Sequence, residues 1–121
     1  MIDLKDYPKS KEIFYEHVKK WLLQLQKELL KDVPETQAPE ITDRIVELGA
    51  NNILNQNFRS LYHFFDGVDI NLFITKGFGI KIMNKGKESV DYADEFKTRE
   101  EAELFGFKEC FKMLESTIKL Q

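Results

Sequence analysis

The residues whose types and spacing come nearest to a known chemistry are Lys76-Gly77-Phe78-Gly79-Ile80-Lys81-Ile82-Met83. RNA-recognition strands carry Lys or Arg, Gly, an aromatic, Gly or Ala, Phe, Val, any residue and a final aromatic, because exposed rings on the strand stack on bases. Lys76 to Gly79 satisfy the first four positions, whereas Ile80, Lys81 and Met83 fail the other three. A β-hairpin accounts for the same residues without a ligand: Gly77 supplies a positive φ, Lys76 is solvated and Phe78 packs. A basic hairpin surface remains as the nucleic-acid alternative, with Lys76, Phe78, Lys81, Lys85 and Lys87 as its contacts. Asp69, Glu88 and Asp91 fall in the same stretch and make its field mixed.

The groups of enzyme chemistry are sparse. His17 and His63 are far apart in sequence, and no HxxxH, HExxH or CxxC spacing is present, so no metal site is expected. Cys110 lies among apolar residues at helical spacing, the setting of a buried structural thiol. Pairing it with either histidine as a nucleophile needs the fold to bring them together. Ser10, Ser60, Ser89 and Ser116 sit in no nucleophile-elbow pattern, and no Gly-rich phosphate loop precedes a helix. These absences predict a non-enzymatic protein without catalytic residues or cofactor.

Charge is most polarised between Asp91 and Glu103, where Asp91, Asp94, Glu95, Glu100, Glu101 and Glu103 stand against Lys97 and Arg99. Acids are ordinary at a helix N-terminus. A dense acidic ridge also suits a basic surface on a partner. Tyr62, Phe64 and Phe65 are too close in sequence to share one helix face, and Phe107 falls off the inner stripe drawn below. Exposed aromatics of this kind mark interaction surfaces. Tyr62, Phe64 and Phe107, with the six acids, are therefore the candidate contacts for a protein partner.

The elements that position these groups follow from periodicity. Phe14, Val18, Trp21, Leu25 and Leu29, widened by Leu22 and Leu30, form one helical stripe, with Ser10 as its N-cap. Pro34 and Pro39 bracket a polar linker. A second helix carries Ile41, Ile45, Leu48 and Ile53 from a cap at Thr42 or Asp43 to about Leu54. A short third helix holds Phe58, Leu61, Tyr62 and Phe65 and closes at Asp66-Gly67. The period then changes to two. Val68, Ile70, Leu72 and Ile74 share one face, as do Phe78, Ile80 and Ile82, with turns at Lys76-Gly77 and over 84–87 and a third strand at Val90 and Tyr92. Thr98 and Glu101 form a capping box for a last helix to about Lys119, with Ala102, Phe105, Cys110, Met113, Leu114 and Thr117 or Ile118 inward.

The expected fold is α+β over a single domain, 1–121: N-terminal helices, a three-stranded antiparallel meander, and a C-terminal helix on one sheet face. The chain's 42% apolar and 32% charged residues fit a folded domain with one core. A formal net charge of −3 gives no general pull toward nucleic acid or anionic membrane. The single cysteine, the absence of an apolar signal core in the first twelve residues and the lack of any long apolar run predict a cytoplasmic protein with no membrane contact.

From about Phe58 to Leu114 the pattern resembles small uncharacterised proteins of Bacteroidetes phages and prophages. The residues that carry the resemblance are Leu61-Tyr62-His63-Phe64-Phe65-Asp66, the strands that follow, a closing helix that begins Thr98-Arg99-Glu100-Glu101-Ala102-Glu103, and Met113-Leu114. The resemblance implies a mobile-element origin and an anti-CRISPR type of activity. The expected partner is then a host CRISPR nuclease or another defence protein, blocked by binding. It transfers no catalytic residue.

Overall fold

A computed structural model describes residues 2–56, 58–92 and 96–119. Helix α1 spans Pro8–Leu29, a 3-10 turn Glu35–Gln37, α2 Asp43–Gln56 and α3 Phe58–Gly67. Strands β1 (Ile70–Ile74), β2 (Ile80–Asn84) and β3 (Lys87–Tyr92) follow, and α4 spans Arg99–Lys119. The sheet order is β1-β2-β3, antiparallel throughout, with α3 and α4 packed against it. The α+β arrangement expected from the sequence is the one observed. No helix among the described residues is long and apolar enough to cross a membrane.

The meander's register puts Ile70, Leu72, Ile80 and Ile82 into the core. Ile82 pairs with Val90 but Met83 pairs with Glu88, so β3 carries an extra residue there, a bulge that bends the strand. Lys85 and Gly86 both have positive φ, 54° and 78°, the type I′ geometry that joins twisted strands in two residues. The first hairpin is longer than the sequence suggests. Its turn runs from Thr75 to Gly79, closed by the Phe78 N–H donating to the Thr75 carbonyl at 3.0 Å. Phe78 has φ 62° and is exposed. It belongs to the turn and does not share the inner strand face with Ile80 and Ile82.

Helix α4 is the centre of the molecule. Its Gly106 lies against Leu72 of β1, while Phe111 meets Phe14 of α1 at 5.7 Å between ring centroids. A helix covered on two sides needs a broad apolar arc, and Ala102, Phe107, Cys110, Phe111 and Leu114 are all buried. The narrow stripe expected from the sequence omitted Phe107 and Phe111. Thr98 caps this helix through its Oγ1, which accepts from the Glu101 N–H at 3.1 Å. The Glu101 carboxylate in turn accepts from the Lys97 N–H, one residue before the position a capping box prescribes.

Two other helices depart from their expected faces. Ser10 is not the N-cap of α1: the helix begins at Pro8, and Tyr7 at its N-cap makes no side-chain cap. Ser10 is instead buried against α4, its hydroxyl donating to the Phe111 carbonyl at 3.0 Å. On α2 the inward residues are Val46, Ala50, Ile53 and Leu54, whereas Ile45 and Leu48 are exposed. Gly49 faces α1 in this rotation: a Cβ there would stand in ordinary contact, 3.4 Å from Val18 Cγ1 and 3.6 Å from Leu22 Cδ1. The α1–α2 contact is built on a small residue that helix propensity alone disfavours.

Candidate functional site

Helix α1 is longer than the core behind it. At about 1.5 Å per residue its 22 residues extend roughly 33 Å. Phe14, on Phe64 of α3 and Phe111 of α4, and Val18, facing Gly49 of α2, are fully buried. The same stripe then continues outward: Trp21 is 46%, Leu25 38% and Leu29 73% exposed. The sequence stripe is real, but its second half is only partly covered: Trp21 borders Ile53 of α2 and Arg59 and His63 of α3, whereas Leu29 is largely open. On the other side of this half Gln26 Nε2 donates to the Pro39 carbonyl and holds the linker near the helix, where Leu23 is also 38% exposed. Trp21, Leu25 and Leu29 form the apolar line away from the linker.

Beside Trp21, α1 and α3 diverge around a cleft of about 270 Å³. Phe14, Val18 and Ile53 give it apolar walls, and His17, Trp21, Arg59, Ser60 and His63 complete the lining. His17 and His63 stand 6.1 Å apart between ring centroids, and His17 is 5.2 Å from Phe64. Partial burial lowers the His17 pKa, and the positive charges of His63 and Lys20 lower it further. Arg59 makes no salt bridge with the described residues. It also lines a second cleft, with Thr98, Glu100, Glu101 and Glu103 at the start of α4. Arg59 therefore joins the Trp21 side of the molecule to the acidic end of α4.

The sequence-predicted contacts divide. Phe64 and Phe107 are core residues, 2% and 0% exposed. Phe107 packs edge-on to Tyr62 at 4.8 Å and nearly parallel to Phe65 at 6.0 Å, so neither Phe64 nor Phe107 offers a surface to a partner. Tyr62 is half-buried. Its hydroxyl is buried without a close hydrogen bond, beside the Glu103 carboxylate and the Arg99 guanidinium. Burial first, and Glu103 second, push this phenol well above its usual range. Glu103 is mostly covered and pairs with Arg99 at 3.5 Å. Glu100 and Glu101 are exposed on the first turn of α4, and Asp91 is exposed on β3. Asp94 and Glu95 lie outside the described residues.

The basic set is not one cluster. Lys76 and Phe78 sit in the β1–β2 turn, and Lys85 and Lys87 at the β2–β3 turn. The five residues of β2 separate the two ends by roughly 13 Å at about 3.3 Å per residue. Lys81 lies between them and pairs with Glu88 at 3.4 Å. The open sheet face does set Phe73 opposite Lys81, and Phe73 is half-exposed.

Cys110 is fully buried, and that burial, with Glu109 nearby, pushes its pKa up to about 12. It is not among the residues lining the His17–His63 cleft, so no thiolate–imidazole pair forms there. Among the described residues no group of three or more His, Cys, Asp and Glu is placed to hold a metal ion. Sequence spacing missed the meeting of His17, Arg59 and His63, because it depends on how α1 packs against α3. No protein-family model matches the chain, and neither does any curated protein or solved structure.

Proposed function

We propose that the chain is a cytoplasmic, non-enzymatic protein-binding module that docks through the outer half of α1, with the acidic start of α4 flanking the contact. The observation that carries this reading is the exposed continuation of the α1 core stripe through Trp21, Leu25 and Leu29. An apolar helix face at i, i+4 and i+8 is the shape that enters a hydrophobic groove, and Trp is the residue most often central to such contacts. Exposed Glu100 and Glu101 set the sign of the rim, so the partner presents an apolar groove edged by basic side chains. The specific form, an inhibitor of a host RNA-guided nuclease or another defence protein, is supported by the phage-protein resemblance of residues 58–114 and by this charge match with nucleic-acid-binding surfaces.

The test is affinity capture from host lysate with nuclease treatment, followed by titration against the purified partner. Leu25→Glu with Leu29→Glu is expected to weaken binding by at least about a hundredfold, as for a central apolar contact. Glu100→Lys with Glu101→Lys is expected to slow association and reduce its salt dependence. Unchanged affinity in the leucine pair would overturn the reading. Capture of RNA or DNA alone, lost in Lys81→Glu, would favour the basic strand face as a nucleic-acid surface.

A further inference from the structure

The cleft between α1 and α3 has a composition that an open helix junction does not require. Its apolar walls come from Phe14, Val18 and Ile53, and one side is the indole of Trp21. Its polar lining is His17, His63, Arg59 and Ser60, with no carboxylate among them. Lys20 adds a further positive charge near His17. Every titratable or charged group facing the cleft is therefore a cation or a potential one. Arg59 presents a planar fork of donors and makes no ion pair with the described residues, the condition in which a guanidinium takes a carboxylate or phosphate in two parallel hydrogen bonds.

We infer that this cleft binds a small aromatic anion, with its ring against Trp21 and its anionic head on Arg59, His63 and Ser60. Size sets the class. A cleft of about 270 Å³ is of the size that takes one ring with its head group. Small-molecule sites combine such an apolar body with a few converging polar groups. The inference needs no protein partner and stands apart from the docking role of Leu25 and Leu29.

Trp21 is the chain's single tryptophan, so its indole N–H resonance and its emission report occupancy without a label. The probe is phenylphosphate, titrated at one pH into the wild type, Arg59→Gln and His63→Gln. Both substituted positions are exposed, so folding is retained, and thermal melts verify it. A saturable shift of the Trp21 resonance is expected, at least tenfold weaker in Arg59→Gln and weaker in His63→Gln. Benzyl alcohol, which keeps the ring and lacks the charge, is expected not to saturate, and inorganic phosphate is expected to bind more weakly than phenylphosphate. The inference is overturned if no shift saturates by about 10 mM, ten times the Kd of about 1 mM that marks a barely useful site. Equal binding by Arg59→Gln, or by benzyl alcohol, overturns it as well.

Discussion

Glu115 of α4 caps the N-terminus of α1. Its Oε1 accepts from the Lys9 N–H and its Oε2 from the Ser10 N–H, each at 2.9 Å, across more than one hundred residues of chain. The contact answers a local deficit. The N-cap residue Tyr7 has no side chain that can accept from the first-turn amides, and the first turn holds no acid. A carboxylate from the far end of the chain supplies both the acceptors and the negative charge that the helix dipole favours. Glu115 is 3% exposed, and the two amides supply hydrogen bonds to both of its buried oxygens.

Glu115→Gln is therefore expected to destabilise by about 1–2 kcal/mol, since an amide nitrogen would replace one of the two acceptors and face a donor. Glu115→Ala is expected to lose more, about 2–3 kcal/mol, because the buried Ser10 amide and the part-buried Lys9 amide both lose their partner. Urea unfolding of the two variants measures this. A loss below about 0.5 kcal/mol in the alanine variant, the level of an ordinary surface substitution, would show that water replaces the carboxylate.

His17 makes stability depend on pH. Partial burial, His63 and Lys20 hold the His17 pKa below its ordinary 6.5 in the folded chain. Between the folded and unfolded values the unfolded chain binds more protons, so stability rises with pH through that window. Acidification from above 6.5 down through the folded pKa removes it. His17→Gln is expected to melt with a smaller decrease in Tm between pH 7.5 and pH 5.5 than the wild type shows. Parallel pH curves for the two proteins would mean that His17 titrates alike in both states.

What was legible in the sequence was local. The Thr98 cap, the change of period at the strands and the Lys85-Gly86 turn each depend on residues within a few positions of one another. What was not legible depended on which neighbour an element meets and where that neighbour ends. Periodicity drew the Phe14–Leu29 stripe correctly as one face, yet it held no record that the core stops after Val18. It placed Phe107 outside α4's inner side because it allowed for one packing surface, and α4 has two. His17, Arg59 and His63 carry no spacing signal at all. Their only trace in sequence is that α1 and α3 each place a histidine beside the aromatic residues that pack the two helices together.

The β2–β3 turn offers a gain. Lys85 holds φ 54°, a left-handed conformation that costs a side chain branching into a long stem about 1 kcal/mol and that asparagine tolerates. Lys85→Asn would make the turn Asn-Gly, the preferred pair for type I′. An increase in stability of about 0.5 kcal/mol is expected, with the Lys85 N–H bond to the Asp69 carbonyl kept by the new residue. Chemical denaturation at matched salt detects it. A loss of stability would mean that the lysine stem contributes packing at this end of the sheet.

Gly106 tests how closely α4 lies on β1. In a solvent-exposed helix Gly→Ala gains about 1 kcal/mol from propensity. Here a Cβ would come within 2.6 Å of Leu72 Cδ1 and 2.9 Å of Cδ2, distances that packed carbons do not adopt. Leu72 is itself buried, so its methyl groups can move only by displacing other core atoms. Overpacking of this kind costs about 1–3 kcal/mol, which outweighs the propensity gain. Gly106→Ala is expected to destabilise by about 1 kcal/mol net. Trimming the opposing residue should reverse the sign of the substitution: in a Leu72→Ala background, Gly106→Ala is expected to stabilise. A double-mutant cycle then gives a coupling energy of about 1–3 kcal/mol between the two positions. Additive effects would place α4 farther from the strand than the geometry does.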